Sequence, residues 1–344
     1  MGRFLEGLLT RQSKGRHGRR AAAIALIALC ALVLLLVILR FDALVAAVKE
    51  AGLYLQYRFI QRALIVGVLV SLCAALLGVT LVLKRYSMIG DGLSHVGFGA
   101  LSIAASLGFV TVQSLPEFLP SGLREGIVGL CGAISASPLP FTLIVVIALA
   151  FLILRLNEGS AMRGDAAIAL LSTSALAVGV LVTSRTSGMN VDVMNYMFGS
   201  ILAMSSADVI LSVSLSAAVL LLFVLFCNRI FAVTFDEPFA RATGTCAGLY
   251  NMLIAILTAV TIVIGMRMMG TMLISSLIIF PALTSMRLFS RFRHVLVSSA
   301  VISVVCFVIG IMLSCLYSIP AGAGIVLVNL CAFLLFSLVG RIRG

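Results

Sequence analysis

Two ionisable side chains, Asp91 and His95, stand four residues apart in the otherwise small or apolar stretch SMIGDGLSHVGFGALSIAASLGFV. On a helix this spacing places both on one face, about 6 Å apart. A carboxylate beside a neutral imidazole is half of a site for a divalent metal such as zinc or manganese. An Asp at the centre of a membrane costs roughly 2.5–3.5 kcal/mol on insertion, which calls for a partner. Gly90, Gly92, Ser94, Gly97 and Gly99 thin the same helix so that neighbours can approach it closely. The spacing also fits a simpler reading, in which Asp91 caps the helix near its boundary and His95 packs against a backbone carbonyl. The pair alone leaves both open.

A second group of residues lies in NRIFAVTFDEPFARATGTC, residues 228–246. Thr234 and Glu237 have the spacing of a capping box, and Pro238 fits only the first turn of a helix. The spacing predicts a short helix from about Asp236 to Thr243, stopped by Gly244, with Phe235 and Phe239 displayed among charges. Such a knob suits a groove on a partner, or equally a layer of lipid headgroups. Asp192 and Asp208 bracket a third polar stretch and are candidates to draw cations toward an outer mouth. Met266, Met268, Met269 and Met272 could line a soft-metal path, although crowded methionines more often fill gaps between helices. Pro281 is expected to kink its helix, and His294 is expected at an interface.

The elements that carry these residues are apolar runs. Of 344 residues 62% are hydrophobic and 10% charged, against about 25% charged in soluble domains, and the mean hydropathy is +1.23. The fold class is therefore all-α, a polytopic integral membrane protein. Spans of about 20 residues fall near 21–39, 63–83, 87–110, 140–156, 166–184, 207–227, 246–266, 269–288, 296–315 and 321–340, about ten in all. The basic tail sets both termini in the cytoplasm. In that topology 17 of the 24 Lys and Arg lie inside and 7 outside, as the positive-inside rule requires. The formal charge of +12 thus marks membrane topology and no nucleic-acid partner. The first apolar run, 19 residues after RQSKGRHGRR, is longer than a signal-peptide core and reads as a retained helix. Residues 41–58 read as an amphipathic outer helix, 113–138 as too broken to span cleanly, and 188–209 as broken or re-entrant. The eight cysteines form no Cys-x-x-Cys pair, so neither a disulfide framework nor a thiolate metal site is expected.

The stretch KRYSMIGDGLSHVGFGA resembles the signature of the zinc/manganese-type ABC importer permeases: two basic residues and a Ser, then Gly-Asp-x-x-Ser-His opening a membrane helix. The resemblance continues in family order through QYRFIQRALIVGVLV, VDVMNYMFGSILAMSSADV, TFDEPFARATG, GTMLISSLIIFPALTS and SIPAGAGIVL, covering roughly residues 55 to 340. It implies a basic tail (1–20), an extra N-terminal helix and connector (21–58) and a permease core (59–344). It further implies a prokaryotic plasma-membrane protein that pairs with a second copy. Such a permease receives metal from an extracytoplasmic binding protein and is driven by a cytoplasmic ATPase. By resemblance Asp91 and His95 contact the metal in transit, zinc before manganese. Thr234, Phe235, Asp236, Glu237, Phe239, Ala240 and Gly244 form the ATPase-coupling loop.

No cofactor is expected on the chain itself, and it is expected not to be an enzyme. Its lysines are Lys14, Lys49 and Lys84, so the phosphate-cradling G-x-x-x-x-G-K-[ST] loop is absent and ATP would be used by another polypeptide. The sequence departs from some zinc-type relatives where Ser172, Thr173 and Ser174 replace a histidine-bearing segment, and at Ser200 after FG. The alternative is a proton-coupled secondary transporter of metal or drug, with Asp91 as a proton relay. An intramembrane enzyme lacks support from paired Asp or His-Glu-x-x-His motifs.

Overall fold

The computed structural model describes residues 56–86, 88–109, 120–136, 138–159, 164–185 and 206–343. The tail 1–20, the run 21–39, most of 41–58, and Asp192 lie outside the described residues. The described chain is helical: α1 Arg58–Leu83, α2 Ile89–Ser106, α3 Ser121–Ala136, α4 Pro138–Gly159, α5 Gly164–Arg185, α6 Ser206–Phe235, α7 Glu237–Ala242, α8 Ala247–Met269, α9 Thr271–Leu288, α10 Phe292–Tyr317 and α11 Ala321–Arg343. The apolar runs expected from 63–83 onward each coincide with one of these helices.

Among the described residues seven helices are long and apolar enough to cross a membrane, or eight if the pair α3–α4, bent by 88°, counts as one broken span. The ten expected spans are thus an approximate count. α2 is not one of the seven, because glycines, serines, Asp91 and His95 dilute its apolar residues. Within the 113–138 stretch, expected to be too broken to span cleanly, Ser121–Ala136 winds into a helix with Leu123 and Leu130 exposed, and it meets α4 at the 88° bend.

Apolar residues occupy the outside of the bundle as well as its inside. The segment Asp208–Phe235 is strongly apolar yet only 22% buried, and it exposes Ile210, Leu221, Val224 and Leu225. That surface is stable only against lipid, because water would drive it to aggregate. α1 and α8 form the centre, their most apolar windows 72% and 78% buried. α2 packs most extensively on α5 and α4, while α9 packs on α11 and α1.

Lipid supplies no hydrophobic drive between helices, so close backbone approach and hydrogen bonds hold the bundle. A Cβ at Gly78 of α1 would stand 2.0 Å from the carbonyl oxygen of Ile278 on α9, and one at Gly99 of α2 would stand 2.6 Å from that of Ala175 on α5. Across the α1–α10 seam Ser303 Oγ donates to the carbonyl of Ser71 at 3.0 Å, and Ser299 Oγ to that of Ala75 at 3.4 Å. Met266, fully buried, fills the space left by Gly97, which is the packing role its crowding implied.

The turn from α1 to α2 is tight. Tyr86 N–H donates to the Leu81 carbonyl at 2.9 Å and Arg85 N–H to that of Val82 at 3.1 Å, the Schellman pattern that closes a helix. Arg85 takes the left-handed position, φ 63°, usually given to glycine. The same pattern closes α7, with Thr245 N–H on Ala240 O and Gly244 N–H on Arg241 O, and there Gly244 holds φ 82°.

These contacts give a first prediction. Gly78→Ala should destabilise the purified protein by about 1–3 kcal/mol, the range for overpacking, despite alanine's better helix propensity. Gly126→Ala, where an added Cβ meets nothing within 4 Å, should not lower the thermal midpoint in detergent.

Candidate functional site

Asp91 and His95 both belong to α2, in its first and second turns. The helix begins after Met88, which provides no side-chain cap, so Asp91 does not serve as the N-cap. Its carboxylate Oδ2 lies 3.6 Å from His95 Nε2 instead, with side-chain exposures of 49% and 22%. The contact is close but longer than an ordinary hydrogen bond. Ligands about 2.0–2.2 Å from a zinc ion at tetrahedral angles stand roughly 3.3–3.6 Å apart, so the two atoms are spaced to share one ion.

The pair is set well inside the bundle. Gly97, two residues after His95, abuts Met266, near the far end of α8 from Ala247. At 1.5 Å per residue Met266 lies about 28 Å along α8 and Asp91 about 9 Å back from Gly97. Gly90 in turn abuts Ser275 and Ile278 in the middle of α9. Asp91 therefore sits near mid-span, and Gly92 and Gly99 against α5 hold its helix in place.

Ser172 is buried on α5 between Ile168 and Ala175, the residues that touch α2. Thr173 and Ser174 donate back to carbonyls of their own helix, from Thr173 to Ala169 at 2.8 Å and from Ser174 to Leu171 at 3.0 Å. Among the described residues no third His, Cys, Asp or Glu joins Asp91 and His95 in a cluster. The cavity of about 240 Å³ between α2, α4 and α5 has apolar walls such as Val96, Phe141 and Leu171, and is no place for an ion.

The 228–246 loop forms its short helix, with one change to the expected cap. Asp236, not Thr234, caps α7 by accepting from Phe239 N–H at 2.9 Å. Thr234 is still inside α6 and donates to the Ile230 carbonyl at 2.6 Å. The capping-box spacing failed because α6 runs on to Phe235. Ala240 is the buried anchor of α7 against Val233 and Ala247, while Phe235 and Phe239 are exposed, as the amphipathic reading required.

Glu237 is the hub of a charged network that the spacing did not show. It accepts from Arg241 Nη2 at 2.6 Å and from Asn251 Nδ2 at 3.2 Å, and its Oε2 lies 3.7 Å from Lys84 Nζ. Lys84 also donates to Asn251 Oδ1. Burial alone would raise the carboxyl's pKa. The hydrogen bonds from Asn251 and Arg241 and the charges of Lys84 and Arg241 outweigh it and hold Glu237 below the ordinary glutamate value. Lys84 reads in sequence as a topogenic charge, and its partner lies 167 positions away. Asp208, in the first turn of α6, pairs with Arg267 at 2.9 Å, so its carboxylate is already engaged.

A lipid-facing helical bundle with a carboxylate–imidazole pair at mid-span and an amphipathic helix projecting at one end is a membrane transport protein. Residues 56–340 match the model of the ABC 3 transport family. The chain is 30% identical over 280 residues to the high-affinity zinc uptake system membrane protein ZnuB of Haemophilus influenzae, covering 81% of this chain and 97% of the relative. It is 27% identical to the manganese transport system membrane protein MntC of Halalkalibacterium halodurans, over 80% of this chain and 85% of that one. The solved structure of PsaBC from Streptococcus pneumoniae in complex with Fab superposes with a TM-score of 0.65 at 25% identity, over 86% of this chain and all of that one. The chain belongs to the ABC 3 transport family, as one of its membrane permeases.

The lowered pKa of Glu237 fixes the sign of a pH effect. A carboxyl depressed in the folded state adds stability that is complete above its unfolded value, about 4.3, and is lost as pH falls through the depressed one. Hydrogen-exchange protection of the α7 amides should therefore hold from neutral pH to about pH 4.3 and decline below it. In Glu237→Gln that acid step should vanish, and its persistence would place the titrating group elsewhere.

Proposed function

We propose that the chain is the translocation subunit of an ATP-driven importer of divalent transition metal ions, zinc first and manganese second. Asp91 and His95 hold the ion in transit. The 3.6 Å spacing of their ligand atoms, on a partly exposed face at mid-span, carries this reading. An imidazole suits zinc, and zinc stands well above manganese in affinity for mixed nitrogen and oxygen ligands. Manganese remains the second metal because the Halalkalibacterium halodurans relative is named for it.

Two protein ligands make a weak site, which suits cargo. Water, backbone carbonyls or a second copy of the chain complete the coordination, and the ion leaves when they withdraw. α7 is the docking element for a cytoplasmic ATPase, presenting Phe239 and the Glu237–Arg241 pair beside Phe235 at the end of α6. An extracytoplasmic binding protein delivers the metal at the opposite end, in the plasma membrane of a prokaryote with both termini of the chain inside. Thr234, Asp236, Ala240 and Gly244 shape and anchor the docking helix. A proton-coupled transporter would use Asp91 as a relay and would not need a displayed docking helix.

Cellular zinc, manganese and iron, measured by elemental mass spectrometry in metal-starved cells, test the proposal. Deletion of the gene should lower one metal severalfold, and Asp91→Ala and His95→Ala should each reproduce most of that loss with the protein still in the membrane. A metal that falls on deletion but not in Asp91→Ala would remove the pair from the pathway. No change in any metal on deletion would refute the cargo.

A further inference from the structure

We propose that Lys84 is a positioning residue that ties the docking helix α7 to the turn that sets Asp91 and His95. Through it, movement of α7 is delivered to the metal-bearing helix. The inference rests on reading α7 as the docking site of the ATPase and α2 as the carrier of the metal pair.

α7 packs mainly on its chain neighbours. Ala240 is buried against Val233 and Ala247, and Arg229 of α6 donates to Thr245 at 3.3 Å. Those contacts move α7 with α6 and α8. Lys84 reaches from a distant part of the sequence. Its side chain, 11% exposed, meets Glu237 Oε2 at 3.7 Å and donates to Asn251 Oδ1, while Asn251 Nδ2 donates to the same Glu237 oxygen at 3.2 Å. Glu237 belongs to α7, Asn251 to α8, and Lys84 caps the C-terminus of α1. The triangle thus joins three elements through one carboxylate. Arg241 holds the other oxygen of that carboxylate at 2.6 Å, fixing its orientation.

The position of Lys84 gives the contact its reach. The next residue, Arg85, is the left-handed closure of the α1 Schellman motif, and α2 starts at Ile89. Hydrogen bonds run across this turn, from Tyr86 N–H to Leu81 O at 2.9 Å and from Ile89 N–H to Tyr86 O at 3.1 Å, and tie the end of α1 to the start of α2. A pull on Lys84 must unwind the end of α1 or carry the start of α2, and Asp91 lies in the first turn of α2. The Gly78–Ile278 and Gly90–Ile278 contacts brace both sides of this turn on one residue of α9, which favours motion of the turn as a unit. A network joined through fixed hydrogen bonds is the kind of contiguous element that carries coupling.

The test uses the permease reconstituted in vesicles with its ATPase and binding protein, measuring uptake of radioactive zinc and manganese together with ATP hydrolysis. Lys84→Met keeps the stem and removes the charge, and Glu237→Gln removes the opposite charge while keeping a hydrogen-bonding oxygen. Each should lower metal transported per ATP hydrolysed by about five- to tenfold, the lower part of the range for coupled sites, and in Lys84→Met, which leaves the docking surface intact, ATP hydrolysis should be retained. Lys84→Arg should restore most of the ratio. The double variant should be no worse than either single one, since both break one link. Equal losses of transport and hydrolysis, or no loss of either, would overturn the proposal. Failure of both variants to assemble would also overturn it, by making the network a folding element. If wild-type vesicles take up no metal, the transport reading fails first, and that result is distinct from an unaltered ratio in the variants.

Discussion

A polar group inside hydrocarbon finds its partner in the protein or goes without, and each unmet group costs several kcal/mol. The helical bundle follows from that constraint. Helices satisfy the backbone, and serine and threonine hydroxyls turn back on their own carbonyls, as Thr80 does on Leu77 at 2.7 Å and Thr258 on Ile254 at 2.7 Å. Hydroxyls that instead cross a seam, such as Ser303 to Ser71, become the specific glue between helices. Because lipid is as apolar as leucine, packing alone chooses which faces meet, and glycine decides how closely.

The same constraint separates the charged groups by role. Asp208 and Arg267 neutralise each other at 2.9 Å, and Glu237 is surrounded by Lys84, Arg241 and Asn251. Asp91 and His95 meet each other at 3.6 Å, with the Asp91 side chain half exposed. In the proposed function that pair is the one that takes a passing cation, and a tighter pairing would work against release.

Much of this was legible in the chain. Apolar runs locate the spans because length and hydropathy are local properties, and the four-residue spacing brings Asp91 to His95 because both sit on one helix. The short helix α7 was legible from Pro238 and Gly244, which mark where a helix can start and must stop. Its cap was misplaced from Asp236 to Thr234 because the sequence does not show where α6 ends. The Lys84–Asn251–Glu237 triangle was illegible for a deeper reason. In water an apolar stripe shows which face of a helix turns inward, but in lipid both faces are apolar, so partners on different helices leave no periodic trace. The pairing of Asp208 with Arg267 was hidden in the same way.

The placement of the two functional regions on opposite sides of one short turn gives the chain its logic. In the proposed function the Asp91–His95 pair releases its ion when α7 is pushed, and a stiff path costs less of the stroke than a flexible one. α1 closes with arginine where glycine would be easier, α2 starts four residues later, and the same α9 residue braces both helices. A glycine at position 85 would relieve the strain in the turn and let it flex. The α7 closure has the same hydrogen-bond pattern but takes Gly244 at its left-handed position.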